Sequence, residues 1–209
     1  MGYLCHFLIG SPKPTFVLFV CQGLEEGFWP WATTTREGYP CINNESKLSP
    51  KDPSKAEFLR VQRDLEKGKE RFLPSFGRDL LPGMYCMPNY AVPKPNSTNY
   101  HLINDQSCEK FSLNSMVQHD RVMGYPLDNM VHFGEVLMNL EKKEPGKPRV
   151  AWKSDIVEAY RILPMHPLWQ IKQINTIDGE CVVDRCNSFR GSSSEATFIS
   201  FNSLVAWIV

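Results

Sequence analysis

The segment 149–167 constrains the fold more than any other part of the chain. Its apolar run Val150 to Ile156 predicts a buried strand, and Asp155 stands at the end of that strand. Pro164 then ends the element that follows. A carboxylate at the end of a rigid strand can bind a hard cation such as Mg²⁺, but Asp155 could also simply cap a helix that begins after Ile156.

The spacing of Asp155, Ala159, Tyr160 and Pro164 resembles the first catalytic motif of reverse transcriptases. The resemblance implies that Asp155 is a catalytic residue and a Mg²⁺ ligand in two-metal nucleotidyl transfer. It implies that Tyr160 packs under the sugar of the incoming nucleotide and excludes a 2′-hydroxyl; a core tyrosine is the alternative. This chemistry needs a second carboxylate pair, and no paired-Asp motif occurs in the 209 residues.

Two short strands are predicted upstream, at Asn89–Lys94 and Tyr100–Asn104, with a turn-rich segment between them. With the Leu113-Asn114 step that follows, they resemble the fingers of a reverse transcriptase. The resemblance implies that Lys94 binds the triphosphate of the incoming nucleotide. His101 stands where that family has an arginine, and a neutral histidine binds phosphate more weakly.

A serine-rich segment at 187–198 resembles the next polymerase motif, which opens a helix beneath the template–primer. The resemblance implies that Phe189, Gly191 and Ser192 lie near the template–primer. Arg190 replaces the usual glycine and Glu195 the usual proline. The alternative is an ordinary serine-rich start of a helix at 192–209.

The remaining patterns predict three helices and one hairpin. Asp178-Gly179 should close the hairpin in a type I′ turn between strands at 170–176 and 181–185. The basic and acidic residues of the second helix indicate a solvated face on which opposite charges pair with one another. The helices are predicted at Phe16–Leu24, Pro53–Phe72 and Leu127–Leu140, with Thr15, Ser54 and Asp128 as their N-caps.

These elements predict an α+β fold in three regions. Residues 1–84 form a helical, loop-rich N-terminal region, residues 85–148 a fingers-like region, and residues 149–209 an incomplete palm. The resemblance implies a partial right-hand polymerase fold, with fingers and an incomplete palm built from an antiparallel sheet and flanking helices.

Composition limits the function classes. The 23 basic and 23 acidic residues give zero net charge, which argues against a dedicated nucleic-acid coat but leaves a local basic cleft open. Seven cysteines without a Cys-x-x-Cys pair argue against a disulfide framework or zinc site and predict reduced, buried thiols. Without a signal peptide or an apolar run of about 20 residues, we expect an intracellular protein, cytoplasmic or nuclear, outside the membrane.

The full set of motifs, from about Phe16 onward, resembles the reverse-transcriptase-like proteins of fungal retroelements. The resemblance implies an RNA-directed DNA polymerase-like nucleotidyltransferase fragment, inactive alone, whose ancestral ligands are Mg²⁺, deoxynucleoside triphosphates and an RNA or DNA template–primer. We expect weak nucleic-acid binding, and a second chain could complete the palm. The alternatives are a non-enzymatic nucleic-acid-binding or interaction module and a pseudogene product.

Overall fold

Helices and short strands mix along the chain, which confirms the α+β class. The computed structural model describes residues 8, 10–123, 129–150 and 155–208. The helices are α1 (Pro14–Glu26), α2 (Pro53–Gly68), α3 (Leu113–Met116), α4 (His119–Val122), α5 (Met130–Lys143), α6 (Pro167–Gln170) and α7 (Ser194–Ile208), and a 3-10 turn spans Ala159–Ile162.

In the part of the chain that the structure describes, six strands form two sheets. The strands are β1 (Asn43–Asn44), β2 (Tyr85–Cys86), β3 (Asn89–Pro93), β4 (Tyr100–Asn104), β5 (Ile174–Ile177) and β6 (Glu180–Val183). The larger sheet has the order β1-β2-β5-β6, in which β1, β2 and β5 run parallel and β6 antiparallel. Strands β3 and β4 pair separately as an antiparallel hairpin, as predicted.

The β5–β6 hairpin confirms the turn predicted from Asp178-Gly179. Ile177 pairs with Glu180, and the two residues between them have φ values of 55° and 76°. Two positive φ angles are what a type I′ turn requires, and aspartate and glycine adopt them at low cost. The first strand is shorter than predicted, because α6 ends at Gln170 and β5 begins only at Ile174.

Helix α2 confirms the predicted helix but not its ends. Its N-cap is Asp52, whose carboxylate accepts hydrogen bonds from the Ser54 amide at 2.9 Å and the Ser54 hydroxyl at 2.7 Å. The prediction of Ser54 as the cap was therefore wrong, because the aspartate two residues earlier accepts both hydrogen bonds. The helix ends at Gly68, and Phe72 instead forms a bridge to Asp184 with its side chain buried.

The main apolar core joins the N-terminal helix to the segment after the 3-10 turn. The Phe28 amide donates to Pro164 O at 2.8 Å, and the His166 amide donates to Phe28 O at 3.0 Å. Gly27 makes this approach possible, because it has φ +92° and a Cβ there would lie 2.5 Å from the Met165 backbone. Gly27 and Phe28 thus join the N-terminal helix to the segment 164–166, and this contact is called the seam of the core below.

Helix α1 is longer than predicted, since Pro14 occupies its first turn and Lys13, not Thr15, is its N-cap. Helix α7 packs against α1 and buries Leu204, whereas Trp207 remains 46% exposed. The apolar residues of α7 are therefore exposed to solvent only in part.

The strand predicted at 150–156 is not found in the described residues. Val150 is 89% exposed, and Asp155 and Ile156 have no regular secondary structure. Residues 151–154 lie outside the described part, as do Leu127 and Asp128 of the third predicted helix. Helix α5 begins instead at Met130, and Asn129 caps it by accepting from the Val131 and His132 amides.

The larger sheet takes strands from all three regions assigned from the sequence, and the division into regions stays a prediction. Within residues 8, 10–123, 129–150 and 155–208, no helix has the length and apolar character to cross a membrane. The same residues contain six cysteines, which form no disulfide; four of them are buried, but Cys41 is exposed, contrary to expectation.

Candidate functional site

A cleft of about 560 Å³ lies where three segments meet. The β3–β4 hairpin supplies Lys94 and His101 to its wall, and the segment after β6 supplies Phe189 and Arg190. Helix α2 and the 3-10 turn line the cleft as well, so the cleft collects side chains that are far apart in sequence.

Charged side chains at the base of this cleft form a buried network. Arg161 Nη2 lies 2.7 Å from Glu66 Oε2, and its Nη1 lies 2.8 Å from Asp184 Oδ2. The three side chains are 11%, 6% and 9% exposed, respectively. Burial alone would lower the pKa of Arg161, but Asp184 and then Glu66 outweigh burial and raise it above its usual value.

The buried carboxylates depend on that guanidinium. Burial raises the pKa of Asp184, and the Arg161 charge offsets part of the rise. Asp184 also accepts a hydrogen bond from the Cys186 amide at 3.0 Å. A buried ion network of this kind fixes the relative positions of its elements, because an unpaired charge there would be costly.

A second ionic cluster holds the start of the 3-10 turn. Glu158 has a φ of +56°, uncommon for a residue with a side chain, and its carboxylate contacts Lys69 at 2.5 Å and Arg71 at 2.7 Å. Lys69, and then Arg71, lower the pKa of Glu158. Both partners follow directly from α2, so they anchor the segment after Asp155 to that helix.

Two cations lie in the wall of the cleft. Lys94 and Arg190 line the cleft, and neither side chain makes an ion pair with another described residue. His101 lies on the same strand pair and is exposed. Phe189 presents an aromatic ring beside them that is 60% exposed. Unpaired cations next to an open aromatic surface can bind phosphate and stack on a planar base.

Tyr160 is not among the residues that line the cleft. Its ring contacts Phe189 at 5.0 Å and Phe198 at 5.4 Å between centroids. Burial, and then the nearby Glu195, raise the pKa of Tyr160. Tyr160 is half-buried and packs against the ring of Phe189, and its role in binding a sugar stays a prediction.

Asn114 ties the serine-rich segment to the fingers-like region. Its amide nitrogen donates to Arg190 O at 2.9 Å, and its amide oxygen accepts from the Ser192 backbone N–H at 2.8 Å. Gly191 lies between these two bonds and donates to Ser188 O at 3.3 Å. Gly191 and Ser192 are therefore held just behind Arg190, beside the cleft and outside its lining.

Asp155 is exposed and makes no hydrogen bond or ion pair with another described residue. No cluster of three or more potential metal-ligating side chains occurs in the described ranges. The nearest carboxylate in the same motif, Glu158, is already paired with Lys69 and Arg71. The donors present thus do not fit the two-metal site that the resemblance implies, which needs several carboxylate oxygens.

The cleft brings together Lys94, His101 and Phe189 of the predicted site residues, and leaves Asp155, Tyr160, Gly191 and Ser192 outside its lining. Sequence reasoning missed Glu66, Arg161 and Asp184. Glu66 was interpreted as part of a solvated helix face, but its side chain is buried and paired with Arg161. The available signal was Arg161 itself, directly after Tyr160 in the motif.

The chain matches no protein-family model, and no curated protein sequence matches it.

Proposed function

We propose that the chain is a reverse-transcriptase-like lobe, comprising fingers and part of a palm, whose cleft binds the phosphates and a base of a nucleotide or nucleic-acid strand. The observation that carries this proposal is the composition of the cleft. Its lining combines Lys94 and His101, Glu158 and Arg161, and Phe189 and Arg190. These are residues of the three segments whose sequences resemble successive polymerase motifs.

The charge arrangement supports phosphate binding. Arg161 is neutralised by two buried carboxylates, and Glu158 by Lys69 and Arg71. Lys94 and Arg190 remain as the cleft cations without an ion-pair partner in the described chain. The lining residues include three cations and three anions; counting Lys69 and Arg71, which pair with Glu158, gives five cations to three anions, although the net charge of the whole chain is zero.

Binding without catalysis is the form of this function that the residues favour. Asp155 is one carboxylate where two-metal chemistry needs several, and Glu158 is occupied by two cations. A non-enzymatic nucleic-acid-binding module is the second candidate, and the same unpaired cations favour it.

Fluorescence anisotropy with a labelled primer–template duplex and with its single strand tests the proposal. We expect weak, sequence-independent binding that falls as salt rises, because phosphate contacts release counterions. The variant Lys94→Ala/Arg190→Ala should weaken binding and reduce the log–log salt slope by about 2, roughly one per phosphate contact.

The matched control is Lys142→Ala/Lys143→Ala on α5, which removes the same charge at exposed positions that do not line the cleft. An equal loss of affinity in both double variants would contradict the proposal. It would show that the chain binds nucleic acid only through its overall charge.

A further inference from the structure

Three asparagine side chains are joined by hydrogen bonds where the β3–β4 hairpin meets the larger sheet. The amide nitrogen of Asn104 donates to Asn89 Oδ1 and to Asn175 Oδ1, both at 3.1 Å. Asn104 ends β4, Asn175 lies in β5, and both line the cleft. The charged and aromatic residues that carry the proposed function leave these two amides without a role.

The two bonds leave a free acceptor and a free donor in the cleft lining. An asparagine amide has one oxygen acceptor and two N–H donors. The Asn104 oxygen accepts no hydrogen bond, and the Asn175 nitrogen donates none, to any residue that the structure describes. Asn175 is 3% exposed, and its nitrogen is not enclosed by protein. Because buried polar groups normally have partners, a free donor on so deeply buried a side chain indicates a group that enters from the cleft.

The polarity of this amide pair can reverse. If all three amides turn over together, Asn89 and Asn175 donate to the Asn104 oxygen, and the network still has two hydrogen bonds. The free groups in the cleft are then the Asn104 nitrogen and the Asn175 oxygen. In the present orientation the enclosed Asn89 nitrogen has no partner in the described chain. Each orientation leaves one Asn89 atom unpaired, so the network itself does not fix the polarity.

We propose that the Asn104–Asn175 pair binds the hydrogen-bonding edge of an unpaired nucleobase, an inference that rests on the proposed function of the cleft. Thymine has an N3–H donor beside its O4 acceptor, and cytosine has an N4–H donor beside its N3 acceptor, in the opposite order. The two polarities of the amide pair match these two edges. The site therefore requires an unpaired base but no particular base, which agrees with sequence-independent binding.

The rest of the cleft can hold the other parts of a nucleotide. Its volume of about 560 Å³ lies within the range of about 300–1,000 Å³ that is usual for small-molecule sites. The exposed ring of Phe189 offers a stacking surface, and Lys94 and Arg190 offer charge for phosphates. The base edges of a duplex are already paired, so the contribution of the asparagine pair appears only with single strands.

Fluorescence anisotropy with three short labelled DNA single strands of equal length tests the proposal. The strands are oligo-dT, oligo-dC and an abasic strand with the same phosphates. We expect the full chain to bind oligo-dT about tenfold more tightly than the abasic strand, because the bases add stacking and edge contacts. Oligo-dT and oligo-dC should bind within about threefold of each other, because the amide pair offers both polarities.

Asn175→Ala and Asn104→Ala each remove one amide of the pair. Each should lower the ratio of oligo-dT affinity to abasic-strand affinity by about fivefold, which corresponds to about one hydrogen bond. Affinity for the abasic strand should change by less than about twofold, because the phosphate contacts remain. The matched control is Asn139→Ala, which removes an exposed asparagine of α5 outside the cleft lining and should leave the ratio unchanged. Circular dichroism checks that each variant is folded.

The comparison of strands on the unmodified chain needs no variant, so it decides the matter even if an asparagine variant fails to fold. An abasic strand that binds as tightly as oligo-dT would overturn this inference and leave phosphate binding intact. A preference of more than about tenfold between oligo-dT and oligo-dC would overturn it too, because it would show a fixed polarity. Equal losses of the ratio in Asn175→Ala and Asn139→Ala would have the same consequence. Failure to bind any of the three strands would overturn the proposed function itself, and this inference with it.

Discussion

Arg161 and Glu66 form an ion pair of 2.7 Å at the base of the cleft, and both side chains are buried. The pair joins helix α2 to the 3-10 turn, and Asp184 extends it to the end of the β5–β6 hairpin. Three segments that are remote in sequence therefore share one guanidinium. The shape of the cleft depends on this residue.

The first prediction concerns the stability supplied by Arg161. In Arg161→Met, Glu66 and Asp184 lose their shared partner while buried, so we expect the free energy of unfolding to fall by about 3–5 kcal/mol. Urea denaturation monitored by circular dichroism measures this free energy of unfolding. The control is Arg63→Met, which breaks the pair with the exposed Asp64 and should cost less than about 1 kcal/mol. Similar losses in both variants would contradict a structural role for the network.

The second prediction separates backbone strain from steric overlap. Gly27 and Gly38 both have positive φ, but a Cβ at Gly27 meets the Met165 backbone, whereas a Cβ at Gly38 meets nothing within 4 Å. We expect Gly38→Ala to destabilise by about 1 kcal/mol through strain alone. Gly27→Ala should cost at least about 2 kcal/mol more, because backbone atoms cannot move aside. Thermal and urea unfolding measure the loss of stability in each variant. Equal losses would show that the Met165 backbone can move to make room for a Cβ at Gly27.

The third prediction is a pH dependence at the hairpin turn. Arg60, and then Ser49, lower the pKa of Asp178. Its ionised form therefore stabilises the fold above the unfolded pKa of about 4, and this contribution is lost as pH falls through the lower folded pKa. Asp178→Asn keeps a residue that tolerates positive φ and removes the charge.

The stability difference between wild type and Asp178→Asn should be at most about 1 kcal/mol near pH 6, because solvent screens the pair, and should vanish toward pH 2. Urea titrations across this range measure it. Asp79→Asn, at an exposed aspartate that makes no ion pair in the described chain, should show no such trend. A difference that grows on acidification would reverse the assigned sign.

The fourth prediction is that residues 1–209 perform no template-directed primer extension with Mg²⁺ or Mn²⁺. The reason is that Asp155 is the one carboxylate of a polymerase motif found in this sequence, and two-metal transfer needs more. Gel-based extension assays measure it. Extension that disappears in Asp155→Ala would disprove the prediction and reveal further ligands.

The fifth prediction concerns His101 and Glu195, two of the three departures from the polymerase pattern. His101→Arg adds a permanent cation to the cleft wall, and Glu195→Pro removes an anion from the first turn of α7, where proline is tolerated. Together they should strengthen binding to a primer–template duplex at low salt and steepen its salt dependence. Anisotropy measures both. His119→Arg adds the same charge as His101→Arg, but on α4 and away from the cleft lining, so it should have a smaller effect than His101→Arg alone; an equal effect would argue against cleft binding.

Local chemistry made some elements predictable. The Asp178-Gly179 turn and the β3–β4 hairpin follow from residues that are adjacent in sequence, and both agree with the structure. Helix α2 was also predicted, but its cap was misassigned because Asp52 and Ser54 are both good capping residues. A sequence pattern does not rank two such candidates separated by two positions.

The cleft depends on contacts that a sequence pattern does not display. Glu66 has charged neighbours on α2, and its sequence context predicts a solvent-exposed side chain. In the structure this side chain is buried in an ion pair with Arg161. Asp184 follows a strand and gives no sign that it faces the same guanidinium. Pairing between distant charges requires the tertiary fold, so the resemblance identified the wall residues Lys94 and Phe189 but not the residues beneath them.

The seam between Phe28 and Met165 also limits when the protein can fold. A ribosome releases the N-terminal residues first, so helix α1 emerges long before the backbone of Pro164 and His166 that binds Phe28. Until then the apolar face of α1 has no core to enter, and contacts between such distant segments form slowly. We therefore expect the core around helix α1 to form only after residues 164–166 have been synthesised and released.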